Sequence, residues 1–214
     1  MLSAESFVKQ FVLFESRQYV QGSTITHGLL DAIEKWKLGP IERVQLNIHA
    51  LMVEHGCYDL FTENDKPVNA KKKYHAVFRL FSPAGTYWVG LKGNGTPVSK
   101  RESYDEKRLI EGYQLDKANK CIALKPKPNS PAINIMIALH KKLANCLFPG
   151  EGYGQWYLSR YDLSWNAIHM RQSKKMEIVN VGRVGMSHIH SAISVDNEEG
   201  GSIYFSRHKN DHWH

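Results

Sequence analysis

The sequence of 214 residues predicts an α+β fold: antiparallel sheets formed from two hairpins and long strands, packed with about four helices. Three observations carry that expectation. Apolar residues recur at helical spacing in four segments, they alternate with polar residues in several others, and turn-forming clusters separate the alternating runs. With 42% hydrophobic and 23% charged residues the composition is that of an ordinary globular chain, which sets aside collagen-like, low-complexity and disordered classes.

The first expected helix carries Phe7, Val8, Phe11, Val12 and Phe14 behind Ser3 as its N-cap. Leu29, Leu30, Ile33 and Trp36 mark a second, stopped by Gly39-Pro40. Ser103-Tyr104-Asp105-Glu106 reads as a capping box ahead of Leu109, Ile110 and Tyr113. A fourth helix is expected from Ser130 and Pro131 onward, through Ile133, Met136, Ile137, Leu139, Leu143 and Leu147. It is the most hydrophobic of the four and is expected at the centre.

Strands follow from period-two patterning. Val44, Leu46 and Ile48 alternate with Arg43, Gln45, Asn47 and His49, the signature of a half-buried strand. Residues 73–92 read as a hairpin about Ser82-Pro83-Ala84-Gly85, with His75, Arg79 and Lys92 on its polar side. Residues 156–161 and 177–181 suit further strands. A second hairpin is expected from 184–195 and 202–207, around a polar turn spanning Asp196 to Gly201. Lys125–Pro131 is extended, because each proline disfavours helix in the residue before it. No internal repeat is visible, so residues 1–214 are expected to form one domain, with 125–131 as the place where it would subdivide.

Cys57, Cys121 and Cys146 are odd in number and form no CxxC, so neither a disulfide framework nor a Cys-rich zinc site is expected, and a cytoplasmic location is. No apolar run approaches the ~20 residues that a membrane helix needs, and MLSAESFVKQFVLFES lacks the basic leader of a secretion signal.

The net charge of +7, from 28 Lys and Arg against 21 Asp and Glu, biases encounters toward polyanions. Nucleic acid is therefore the expected partner. Lys71, Lys72, Lys73, Arg79, Lys92 and Arg160 are the candidate phosphate ligands, with Trp156 and Tyr161 as stacking platforms for bases.

Histidine is the other anomaly: five of the 11 lie in the last 27 residues. Alternation places His188 and His190 on one strand face, and a turn centred on Glu199 sets His190 opposite His208. Three such imidazoles would ligate a divalent metal ion or shuttle protons. Asp211, three residues beyond His208, would orient that ring for general acid–base work. The resulting functional expectation is a nucleic-acid-binding protein, a nuclease or modifying enzyme that uses His188, His190, His208 and Asp211. Its alternative is a non-catalytic subunit of a nucleoprotein or protein assembly. No P-loop, GxSxG, HExxH or GxGxxG motif is present.

Overall fold

Strand pairing dominates the structure, a computed structural model that describes residues 5–127, 130–149, 154–169 and 175–207. Backbone contacts divide the chain into two compact units, Met1–Tyr104 and Asp105–His214.

In the first unit the elements run β1 (Ser6–Lys9), β2 (Leu13–Phe14), α1 (Gly22–Trp36), β3 (Arg43–Ile48), β4 (Glu54–Thr62), α2 (Ala70–Lys73), β5 (Ala76–Ser82), β6 (Gly85–Pro97) and β7 (Arg101–Glu102). Strand order in the larger sheet is β1-β4-β6-β5-β3, with each of these pairings antiparallel, while β2 and β7 pair in parallel as a separate two-stranded ribbon. Helix α1 buries Ile25, Leu29, Ala32 and Ile33, an i, i+4, i+7, i+8 stripe, and ends where Lys37 takes a left-handed conformation. Facing residues are Leu46, Tyr58, Phe78, Leu80 and Leu91, all fully buried. Burying a side chain of this size contributes about 1.5–3 kcal/mol. The Tyr58 hydroxyl donates to the Ile25 carbonyl at 2.7 Å, and Gly28 supplies the space: a Cβ there would collide with the phenol ring.

The second unit contains α3 (Glu106–Leu109), β8 (Gln114–Asp116), β9 (Cys121–Leu124), α4 (Ala132–Leu147), β10 (Tyr157–Ser164), α5 (Trp165–Ile168), β11 (Met176–Val184), β12 (His188–Val195) and β13 (Glu198–Ser206). Its strands are ordered β10-β13-β12-β11-β9-β8 and again run antiparallel. Helix α4 is buried continuously from Ala132 to His140, as its apolar sequence demands.

The expectation of an α+β fold with about four packed helices is corrected. Only α1 and α4 are long helices among the described residues. The Phe7–Phe14 segment contributes to β1 and β2 instead: Ser6 and Val8 face away from α1, Phe7 lies opposite Tyr58, β1 pairs with β4, and β2 pairs in parallel with β7. Helical spacing of three phenylalanines was coincidental, and bulky β-prone residues satisfied their backbone groups in the sheet. The capping box also fails. Asp105, not Ser103, caps α3 by accepting the Arg108 amide at 3.0 Å, and the helix stops after one turn, ahead of Gly112 at φ +84°. At α4 the N-cap position belongs to Pro131 rather than Ser130.

Candidate functional site

Strand β4 alternates with unusual chemistry. Tyr58 and Leu60 point toward α1, while Cys57, Asp59 and Phe61 occupy the opposite face, across from Lys92, Gly90 and Trp88 of β6. Asp59 is buried, yet four side chains converge on it. Lys92 Nζ lies 2.6 Å from Oδ2 and the Tyr74 hydroxyl donates to the same oxygen at 3.2 Å. Ser6 Oγ donates to Oδ1 at 2.8 Å, and the Cys57 thiol approaches Oδ1 at 3.7 Å. Tyr74 reaches the carboxylate by lying flat over Gly90, where any Cβ would come within 2.5 Å of the ring.

The protonation states follow from this geometry. Burial by itself pushes the Asp59 carboxyl up, but the hydrogen bonds from Lys92 and Ser6 outweigh it and hold the group below the usual carboxylate range. The bond to Asp59 raises Lys92 in return. Burial, reinforced by the Asp59 charge, pushes Tyr74 up to about 12 and raises the Cys57 thiol as well. At neutral pH the cluster therefore holds a carboxylate, an ammonium, a phenol and a neutral thiol. With 39% of its side chain exposed, Lys92 opens to solvent, as does Ser6 at the edge of the cluster.

The second unit contains a polar pair of another kind. His140 of α4 is fully buried, its ring edge-on to Phe205 at 4.4 Å, and its Nε2 lies 2.8 Å from Ser191 Oγ. Burial, with His190 adding a smaller push, lowers His140 to about 3, so the imidazole is neutral. Neither His140 nor Ser191 has any exposed surface.

The residues singled out from the sequence are dispersed. His190 lies opposite Tyr204, not His208, because the turn is formed by Asp196 and Asn197 alone, both at positive φ. A two-residue turn with both φ values positive joins antiparallel strands tightly, leaving Glu198–Gly201 to β13. His190 stacks on Tyr204 with ring centroids 4.3 Å apart, and Arg160 lies over the same ring at 5.1 Å. Burial, followed by the Arg160 charge, lowers the His190 imidazole. His188 is exposed, its Nδ1 2.8 Å from Ser187 Oγ. His208 and Asp211 lie outside the described residues. Among the described residues no three His, Cys, Asp or Glu side chains converge to hold a metal ion.

The expected nucleic-acid surface is likewise not assembled. Trp156 and Tyr161 are buried, so neither offers a ring face to a base. A bulge between Leu158 and Arg160 turns Tyr161 inward along with Leu158, which simple alternation did not foresee. Lys92 is ion-paired with Asp59. Lys71, Lys72 and Lys73 are exposed on α2, and Arg79 is held between the rings of Phe81 and Trp88. Asp59, Tyr74 and His140 escaped the sequence reading. The signal for Asp59 was there, in the alternation of Tyr58 and Leu60 with Cys57, Asp59 and Phe61.

No family model and no curated protein matches this chain. Solved structures do. The tesB protein of Mycobacterium avium subsp. paratuberculosis superposes with a TM-score of 0.52 at 10% identity, covering 97% of this chain and 93% of that one. The pyran synthase domain from module nine of the sorangicin pathway gives 0.50 at 10% identity, over 97% and 94%. The 12:0-ACP thioesterase from Umbellularia californica gives 0.49 at 10% identity, over 98% and 100%. The fold is thus hotdog-like, with antiparallel strands and one long helix in each unit. This finding overturns the expectation of nucleic-acid binding and cleavage, together with its binding-subunit alternative. Among the described residues no helix is long and apolar enough to cross a membrane.

Proposed function

We propose that this chain hydrolyses acyl thioesters and that the Asp59 cluster is its reactive centre. The observation that carries the reading is the hotdog-like architecture, one on which thioesterases are built, shared with the tesB protein along nearly the whole chain. The cluster supplies suitable groups. Lys92 is fixed by one bond to Asp59 and keeps further N–H donors for a thioester carbonyl oxygen, where negative charge develops as water attacks. Asp59 Oδ1 accepts from Ser6, and its other contact, the Cys57 thiol, is long and weak, so a water that displaces the thiol would rest against a carboxylate able to take its proton. The neutral Cys57 thiol is not the nucleophile in this scheme. Three free cysteines support the further reading that the protein works in the cytoplasm.

The test is release of free thiol from acyl-coenzyme A and acyl-pantetheine thioesters of graded chain length. Asp59→Asn and Lys92→Met are each expected to lower kcat about 100-fold, in line with loss of one charge-stabilising group. Absence of thiol release at every chain length overturns the proposal. So does a folded Asp59→Asn variant with undiminished turnover.

A further inference from the structure

Beyond Asp59, the same sheet face continues into an ordered array of cations and aromatic rings. Trp88 sits one outward-facing position along β6 from Gly90, roughly 7 Å away at the rise of an extended strand. Lys66 Nζ lies 4.7 Å from the centroid of the Trp88 ring, and the Arg79 guanidinium lies 5.2 Å from it. Arg79 also covers the Phe81 ring at 4.5 Å, and Arg43 covers that ring at 5.5 Å. Three cations thus alternate with two rings. The register enforces this order, since Arg79 is the cross-strand partner of Trp88, and Arg43 that of Phe81.

Two features set this array apart from a solvated basic face. Arg79 Nε and the Trp88 indole Nε1 are buried donors with no hydrogen-bond acceptor. Each such donor is costly to bury unless an acceptor arrives. In addition, no carboxylate pairs with Lys66 or Arg79 among the described residues, and Asp65, beside Lys66, accepts from Thr62 at 2.8 Å. Like charges are held close together with donors left over. An anion with several acceptor oxygens would relieve both costs, and guanidinium geometry favours phosphate.

We propose that Lys66, Arg79 and Trp88 form a binding site for a small phosphate-bearing anion, with Arg43 ordering the far ring. Phosphate oxygens would accept from Arg79 and from the Trp88 indole, while Lys66 supplies the balancing charge. Two sources present this chemistry: the phosphate end of a thioester substrate, and a free polyphosphate. The site itself does not depend on thioester hydrolysis.

Calorimetric titration at low salt with pyrophosphate and with adenosine 3′,5′-bisphosphate tests it, alongside quenching of tryptophan fluorescence. Saturable binding is expected, weakened about tenfold or more by Arg79→Ala and by the exposed Lys66→Ala, with Arg79→Lys intermediate. Trp88→Phe is expected to remove the quenching. Where thiol release is also measured, competitive inhibition by the bisphosphate assigns the site to the substrate's phosphate end, and inhibition that is not competitive assigns it to a free ligand. Absence of saturable binding by millimolar concentrations overturns the proposal, as does binding unchanged in a folded Lys66→Ala variant. Neither of those results bears on the Asp59 reaction, which its own variants decide.

Discussion

The two units use one kit of parts in two arrangements. Each places a long helix ahead of four strands of its sheet, with one earlier strand added in the first unit and two in the second. In the second unit the last three strands meander, each pairing with the next. In the first, β4 skips β5 and pairs with β6. Connection length accounts for the difference. Residues 185–187 are too few to let β11 do anything but pair with β12, whereas residues 63–75 give the chain room to cross. That crossing carries Tyr74 over Gly90 and onto Asp59, so the longer loop is what builds the polar cluster. The units also bury polarity differently: the first around an ion pair, the second around a neutral imidazole and a hydroxyl.

Perturbations placed in one unit at a time sharpen this contrast, read by hydrogen exchange resolved along the chain. The largest effect is expected from Phe205→Ala, which removes a fully packed ring from against His140 and destabilises the second unit by about 3–5 kcal/mol. Protection loss shared equally by the first unit would show that the two do not unfold as separate bodies.

Acid comes next. His140 is pushed from 6.5 down to about 3, so the unfolded chain takes up its proton first. The contribution is intact above pH 6.5 and falls by about 1.4 kcal/mol for each pH unit below it, until the folded value is reached. Asp59 is shifted downward from 3.8, so its contribution is complete above that value and is lost only as pH drops further. The second unit should therefore lose more protection between pH 6 and roughly 4 than the first, where half-buried His49, lowered by burial and then by the Lys71 charge, adds a smaller contribution of the same sign. His140→Leu paired with Ser191→Ala should flatten that dependence; acid sensitivity that survives the pair would locate the titrating group elsewhere.

Smaller still is the effect of adding one methyl group. Gly90→Ala forces a Cβ into the Tyr74 ring and should cost about 1–3 kcal/mol, whereas Gly182→Ala meets nothing within 4 Å. Equal melting temperatures for the two variants would mean that Tyr74 moves aside freely, and the cluster would lose its fixed geometry. The smallest effect is expected from Arg160→Ala, which removes an exposed stacking partner of Tyr204 at a cost of about 0.5–1 kcal/mol. The imidazole of His190 should then rise, as followed by its ring-proton chemical shifts across a pH titration.

Much of the local structure was legible. The 43–48 strand, the hairpin about Ser82–Gly85 and the helix through Ile133 and Leu143 all stand where their patterns place them. The misreadings share a cause. Phe7, Phe11 and Phe14 satisfy a helical period by accident, and it is the presence of β4 beside Phe7 and of β7 beside Phe14 that decides for strands. The His190–His208 pairing depended on which of six polar residues form the turn, a choice settled by the positive φ of Asp196 and Asn197 and by a bulge after Ile193. Alternation through Trp156–Tyr161 failed at one extra residue.

By itself, the order of residues determined which stretches would be helix or strand over most of their length, because side-chain period and turn sterics act within a few bonds. It also determined a basic chain without a disulfide pattern. Only the tertiary structure decided that Asp59 would meet Lys92, 33 positions away, that His140 would lie without solvent against Ser191, and that β4 would pass over β5. Those outcomes depend on closing long loops and on which faces find a partner to bury them, and neither quantity is local to any stretch of sequence.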